Sequence, residues 1–180
     1  MDMADLTDRR THYSFGENWA RFVAGMNDTQ ISRAAAGVVR LLGGDIAGKS
    51  FLDLGCGSGL HSLAALRLGA ASVTAVDIDP RSVETARALL SRHADGQPWT
   101  VETRSAFDPM PDTAGYDIVY SWGVLHHTGD MRRAIRCAAA LVRPGGRLVL
   151  AIYRKTPMCR FWRLEKRLYS RSPGWLRVVA

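Results

Sequence analysis

The sequence predicts an α/β fold, an open parallel sheet with helices on both faces. Three observations lead there. Short apolar runs alternate with amphipathic helical segments between residues 50 and 153, and such alternation implies parallel strands joined by helical crossovers. The first apolar run passes into a glycine-rich turn, Asp53-Leu54-Gly55-Cys56-Gly57-Ser58-Gly59, that opens a helix. The next apolar run ends in an acid, Asp77, twenty positions past Gly57, the span that one helix and one strand require. A turn of this kind presents backbone N–H groups at a helix N-terminus, beside a carboxylate able to accept from a ribose. A nucleoside-containing ligand is therefore expected.

The elements follow in order. Residues 18–26 read as a short aromatic-rich helix, and Asp28 or Thr29 is expected to cap a longer one over 30–42, ended by Gly43-Gly44. Residues 50–54 form a strand, 60–68 a helix and 72–76 a strand. Pro80 suits the first turn of a helix over 80–93. Residues 98–103 and 116–120 read as strands separated by a loop with Pro109, Pro111 and Gly115. Asp130 caps a helix reaching Val142. Arg143-Pro144-Gly145-Gly146 is then a turn, and 147–153 is the most apolar strand.

A chain of 180 residues is about one domain. The division expected is a helical cap or lid over 1–45, a ligand-binding core over 46–153 and a basic amphipathic tail over 154–180. No apolar run has transmembrane length, and the polar, mixed-charge start reads as neither a signal nor a transit peptide. Three cysteines without a CxxC pair argue against a disulfide framework or a structural zinc site and fit a reducing cytoplasm. The net charge of +7 resides in the tail, where eight basic residues from Arg154 to Arg177 face one acid, Glu165. That local element argues against a global nucleic-acid surface, and no DNA partner is expected.

The glycines at 55, 57 and 59 depart from the dinucleotide pattern G-x-G-x-x-G, because position 60 is Leu and an acid precedes the first glycine by two. Asp53 would repel a pyrophosphate and attract a cation. A ligand with an amine and a sulfonium meets that requirement. At this point the chain resembles the class I S-adenosylmethionine-dependent methyltransferases, a Rossmann-like fold. The resemblance rests on the glycine turn, on Asp77-Ile78-Asp79, on Ser121-Trp122-Gly123-Val124-Leu125-His126-His127 and on Leu141-Val142-Arg143-Pro144-Gly145-Gly146, over roughly residues 45 to 153. The paired histidines and the Arg-Pro-Gly-Gly turn point to the small-molecule branch that includes quinone O-methyltransferases.

The resemblance implies roles residue by residue. Asp53, Gly55, Cys56, Gly57, Ser58 and Gly59 would wrap the methionine part of S-adenosylmethionine, whose product is S-adenosylhomocysteine. Asp77 would accept from the ribose hydroxyls and Ile78 would pack on the adenine. Ser105, Ala106 and Phe107 would line the adenine edge, and Ser121 and Trp122 would face the reacting sulfur. Tyr13, Phe15 and Trp19 lie where relatives often carry a lid; they serve equally as anchors of the N-terminal helix. Cys56 reads as a small residue fitting the turn. Tyr153 ends the last strand, where an acceptor would bind.

Methyl transfer to oxygen or nitrogen also requires loss of a proton. His126 and His127, just beyond the fourth strand at the carboxyl edge of the sheet, are the candidate bases; the plainer reading has one serving the loop backbone and the other facing solvent. Without a further spaced ligand they do not make a metal site. The Asn/Asp-Pro-Pro-aromatic motif of base N-methylating relatives is replaced by Ser121-Trp122-Gly123. The expected function is methylation of a small organic acceptor, most simply at oxygen. An RNA or protein methyltransferase and a non-catalytic donor-binding partner subunit stand as alternatives. The 154–177 segment interleaves aromatic and basic residues, which suits either a sheet-packing helix or contact with an anionic membrane surface. The family's sheet ends in an antiparallel pair, and 154–180 is too short for it, so those final strands are expected to be absent.

Overall fold

The computed structural model describes residues 15–43, 46–110 and 114–153. The expected tail and membrane contact (154–177) and Tyr13 lie outside the described residues. Two helices, α1 (Phe15–Ala24) and α2 (Asp28–Leu42), lead into an alternating series. It runs β1 (Ser50–Leu54), α3 (Leu60–Arg67), β2 (Ser72–Asp77), α4 (Pro80–His93), β3 (Trp99–Thr103) and β4 (Tyr116–Trp122). A 3₁₀ turn (Leu125–His127), α5 (Met131–Ala140) and β5 (Val142–Ala151) complete it. Among the described residues these strands form one five-stranded sheet, ordered β3-β2-β1-β4-β5, with every pairing parallel.

Alternate strand residues feed opposite faces of the sheet. Phe51, Val73, Ala75, Ile118 and Tyr120 pack with Ile31, Val38, Leu63, Val83 and Leu89 from α2, α3 and α4. Leu52, Leu54, Val76 and Val119 pack on the other face with Leu125, Ala134 and Ala138. Both faces are thus covered, which is why the strands read as continuous apolar runs.

Two local expectations are corrected. The cap of α2 is Asn27, not Asp28 or Thr29. Its Oδ1 accepts from the Gln30 N–H at 3.0 Å while Gln30 Oε1 accepts from the Asn27 N–H at 2.9 Å, a reciprocal pairing that satisfies two orphan donors. The Arg143–Gly146 turn is not a break before β5 but a bulge within it. Val142 pairs with Tyr116 and Arg147 already pairs with Ile118, so the residues between loop out opposite Asp117. Asp117 anchors this irregularity. It accepts from the Ser50 N–H at 2.8 Å and hydroxyl at 3.0 Å, and it pairs with Arg143. Burial alone would raise its carboxyl, but the Ser50 bonds and the Arg143 charge outweigh that and hold it below the usual range.

The order of strands places its reversal between β1 and β4, the position at which open α/β sheets bind ligands beyond their carboxyl ends. Close approach of α3 to α4 fixes the rim there. Gly59 has φ +77°, and a Cβ on it would sit 2.9 Å from the Ala86 Cβ of α4. A Gly59→Ala protein combines backbone strain with overpacking and is expected to lose about 2–4 kcal/mol. Urea titration of the two proteins checks this; equal midpoints would refute it.

Candidate functional site

A crevice of about 950 Å³ opens at the carboxyl ends of the strands, roofed in part by Asn18, Trp19 and Phe22 of α1. Its floor is the glycine turn. Residue 57 must be glycine for α1 to seat, since a Cβ there would meet the Trp19 indole nitrogen at 2.9 Å. Trp19 and Phe22 meet edge to face, with ring centroids 6.0 Å apart. Trp19 therefore both anchors α1 and walls the crevice.

Asp53 ends up beneath the first turn of α3. Gly59, which precedes that helix, has no side chain with which to cap it. Asp53 supplies the cap from β1: its Oδ2 accepts from the Ser62 hydroxyl at 2.6 Å, and the Ser62 backbone bonds to the same carboxylate. Asp53 is only 2% exposed. Burial pushes its carboxyl up to about 7, opposed by the Ser62 bonds and reinforced by the negative charge of Asp77. Asp77, at the end of β2, accepts from the Gly57 N–H and the Asp79 N–H, each at 2.9 Å. Burial raises its carboxyl as well, against the pull of those backbone bonds. Both carboxylates face one crevice, and each oxygen of Asp77 keeps capacity for a further donor.

The turn's own amides are largely engaged within the protein. Those of Gly55 and Cys56 donate to the Val76 carbonyl, that of Gly59 to the Cys56 carbonyl and that of Gly57 to Asp77. Among the described residues the Ser58 amide is left for a ligand. Cys56 is buried, and desolvation followed by the Asp53 and Asp77 charges pushes its thiol well up, so it is a fitted small residue and not a nucleophile.

Of the residues singled out from sequence, Asp53, Gly55, Cys56, Gly57, Ser58, Asp77, Ile78, Ser105, Ala106, Trp122 and His127 line this crevice. Four are placed elsewhere. Gly59 is the contact between α3 and α4. Ser121 is buried, its hydroxyl donating to the Leu54 carbonyl at 2.8 Å, and so it ties β4 to β1 and faces no ligand. Phe107 turns into the second core layer, with the Arg133 guanidinium 4.7 Å from its ring centroid. His126 sits behind His127, ring centroids 4.0 Å apart, and edge-on to Tyr153 at 5.1 Å. Both His126 ring nitrogens are buried without a partner among the described residues, and burial lowers its pKa.

Sequence reasoning missed three participants. Ser62 carries no signal beyond being a serine in a first helical turn. His61, its neighbour, lines the crevice with its ring against Tyr120 at 5.2 Å and Trp122 at 6.0 Å, and burial lowers its pKa. Arg104 lines the β3 side and clamps the following loop, bonding Glu102 and the Pro109 carbonyl. Tyr153, already singled out from sequence, also lines the crevice.

Folded Asp53 holds its proton to about pH 7, whereas the unfolded chain releases it near 3.8. The folded state binds the extra proton between those values. Its contribution to stability is therefore full below the lower value and is lost as pH rises through the upper one. An Asp53→Asn protein is expected to lack that decline. Urea melts at about pH 5 and about pH 8 measure it; a parallel decline in both proteins would contradict the assignment.

Residues 52–148 match the methyltransferase domain family. The chain is 38% identical over 113 residues to the ubiquinone biosynthesis O-methyltransferase of Methylocella silvestris, across 62% of this chain and 42% of that protein. It is 38% identical over 109 residues to the ribosomal protein L11 methyltransferase of Shewanella amazonensis, across 59% of this chain and 34% of that protein. Among solved structures it is similar to magnesium protoporphyrin IX methyltransferase from Synechocystis PCC 6803 with bound SAH. The TM-score is 0.68 at 24% identity, over 96% of this chain and 81% of that one. The chain spans less than half the length of the curated relatives it matches. The domain match takes in more than half of the chain and falls on the sheet and turn that build the crevice, so this chain belongs to the class I S-adenosylmethionine-dependent methyltransferase family.

Proposed function

We propose that the protein transfers a methyl group from S-adenosylmethionine to an oxygen of a small organic acceptor, an activity of the kind its ubiquinone biosynthesis relatives are named for. The observation that carries this reading is the pairing of Asp53 and Asp77 in one crevice. The α3 N-terminus, which would otherwise attract a phosphate, already holds the Asp53 carboxylate. Two acids raised by burial, the first also by the charge of Asp77 and the second by that of Asp79, are relieved by a cation. The crevice volume is that of a small-molecule site, and these residues fit the donor. Asp53 would meet the α-ammonium and Asp77 the ribose hydroxyls, with Ile78, Ser105 and Ala106 around the adenine.

When bound, the donor supplies an electrophilic methyl on a sulfonium. The protein's part is alignment and proton removal. Trp122, 41% exposed and stacked on the buried Tyr120, and Tyr153, 63% exposed, offer flat apolar walls to the acceptor. His127 is the base that accepts the hydroxyl proton, because it and not His126 reaches the crevice. Trp19 and Phe22 exclude water from the donor side. We place this reaction in the cytoplasm, with the 154–177 segment meeting an anionic membrane surface. The eight basic residues between Arg154 and Arg177, interleaved with aromatic ones, support the membrane contact. A second reading, methylation of a protein, is favoured by the ribosomal protein L11 methyltransferase relative. Incubating extracts with labelled donor separates the two by whether label enters small molecules or polypeptide.

Calorimetry is expected to show binding of S-adenosylhomocysteine and none of NADH, with Asp77→Ala weakening the former by at least about ten-fold. NADH binding or an unaffected variant would overturn the reading. His127→Ala is expected to lower kcat about 10²–10⁴-fold with donor affinity unchanged, whereas His126→Ala acts less. Steady-state kinetics with a phenolic acceptor checks this, and an unimpaired His127 variant would remove its role.

A further inference from the structure

We infer that His61 is the residue that receives the carboxylate of the donor's amino-acid end, an assignment that rests on the donor reading above. The order of strands sets the direction of the ligand. Asp77, Ser105 and Arg104 stand at the ends of β2 and β3, and Asp53, His61 and Trp122 stand on the β1 and β4 side. The nucleoside belongs with the former and the amino-acid end with Asp53. An amino acid brings one charge of each sign, and Asp53 answers only the positive one.

The negative one lacks its usual partners here. The backbone amides of Gly55, Cys56, Gly57 and Gly59 are engaged within the protein, and Asp53 occupies the α3 N-terminus. Two arginines also line the crevice: Arg104 is on the β3 side and clamped to Glu102, and Arg81 opens α4 just after β2, so both stand at the nucleoside end. His61 precedes Ser62 in the first turn of α3, and its ring lines the same crevice as Asp53. The ring is held by its contacts with Tyr120 and Trp122, and among the described residues neither ring nitrogen bonds to protein. An imidazole offers one N–H donor in either neutral tautomer, enough to bind a carboxylate together with the Ser58 amide. The charge of a bound carboxylate would also draw a second proton onto the ring.

The test compares S-adenosylhomocysteine with 5′-methylthioadenosine, which lacks the amino-acid end. Calorimetry on the whole chain is expected to show His61→Phe weakening S-adenosylhomocysteine by about ten-fold or more while 5′-methylthioadenosine binds as before. His61→Gln, which restores an N–H, recovers much of the loss. On the unaltered protein, the His61 ring resonances shift with S-adenosylhomocysteine and not with 5′-methylthioadenosine, a readout that needs no folded variant. Equal weakening of both ligands marks a packing role and overturns the assignment, as does unchanged affinity or a ring shift common to both ligands. A wild-type protein that binds neither ligand overturns the donor reading itself, and the assignment with it.

Discussion

The contact between Asp53 and Ser62 is the constraint around which the rest of this site is arranged. It joins the end of β1 to the first turn of α3 through a buried carboxylate. A helix that starts at a glycine has no side-chain cap of its own, and here the cap comes from the preceding strand. That single substitution of a protein carboxylate for an external anion changes what the crevice selects. Glycine turns at helix starts commonly hold phosphate because the amides and the dipole are unpaired. In this chain all of the turn's amides but that of Ser58 are paired within the protein, and two carboxyl groups line the crevice.

The burial of that charge stores free energy that ligand binding can release. Asp53 and Asp77 are both held in protonation-prone states by desolvation, the first cause for each. A cation beside them would favour the ionised form of each. Stability of the ligand-free protein and affinity for a positively charged ligand are therefore opposed at these two residues, a common pattern at functional sites.

The two adjacent histidines illustrate how a local motif divides its labour. The 3₁₀ turn after β4 brings His127 to the crevice and tucks His126 behind it against Tyr153. The half-buried ring of His126 packs against both its neighbour and the tyrosine. Trp122, stacked on Tyr120, and His61, edge-on to Tyr120 and tilted against Trp122, extend this aromatic packing around the β4 end. The groups that line the crevice thus stand on strand ends and helical turns, where small displacements are resisted by the core.

What the amino-acid sequence determined by itself was whatever depends on neighbours along the chain. The alternation of apolar runs announced the parallel sheet, Pro80 and Asp130 marked helix starts, and the spacing from Gly57 to Asp77 located both carboxylates at one edge. The Asn27 capping box was equally local, legible in Asn-x-x-Gln, yet Asp28 and Thr29 competed for the same reading. Other features belonged to the tertiary structure alone, because they join residues far apart in sequence. Nothing in the chain order says that Ser62 closes on Asp53, that Phe107 packs on the second core layer beneath Arg133, or that Asp117 across the sheet turns Arg143–Gly146 into a bulge. Nor can sequence separate His126 from His127. Which ring lines the crevice is decided by packing against Tyr153, and packing exists only once the strands have met.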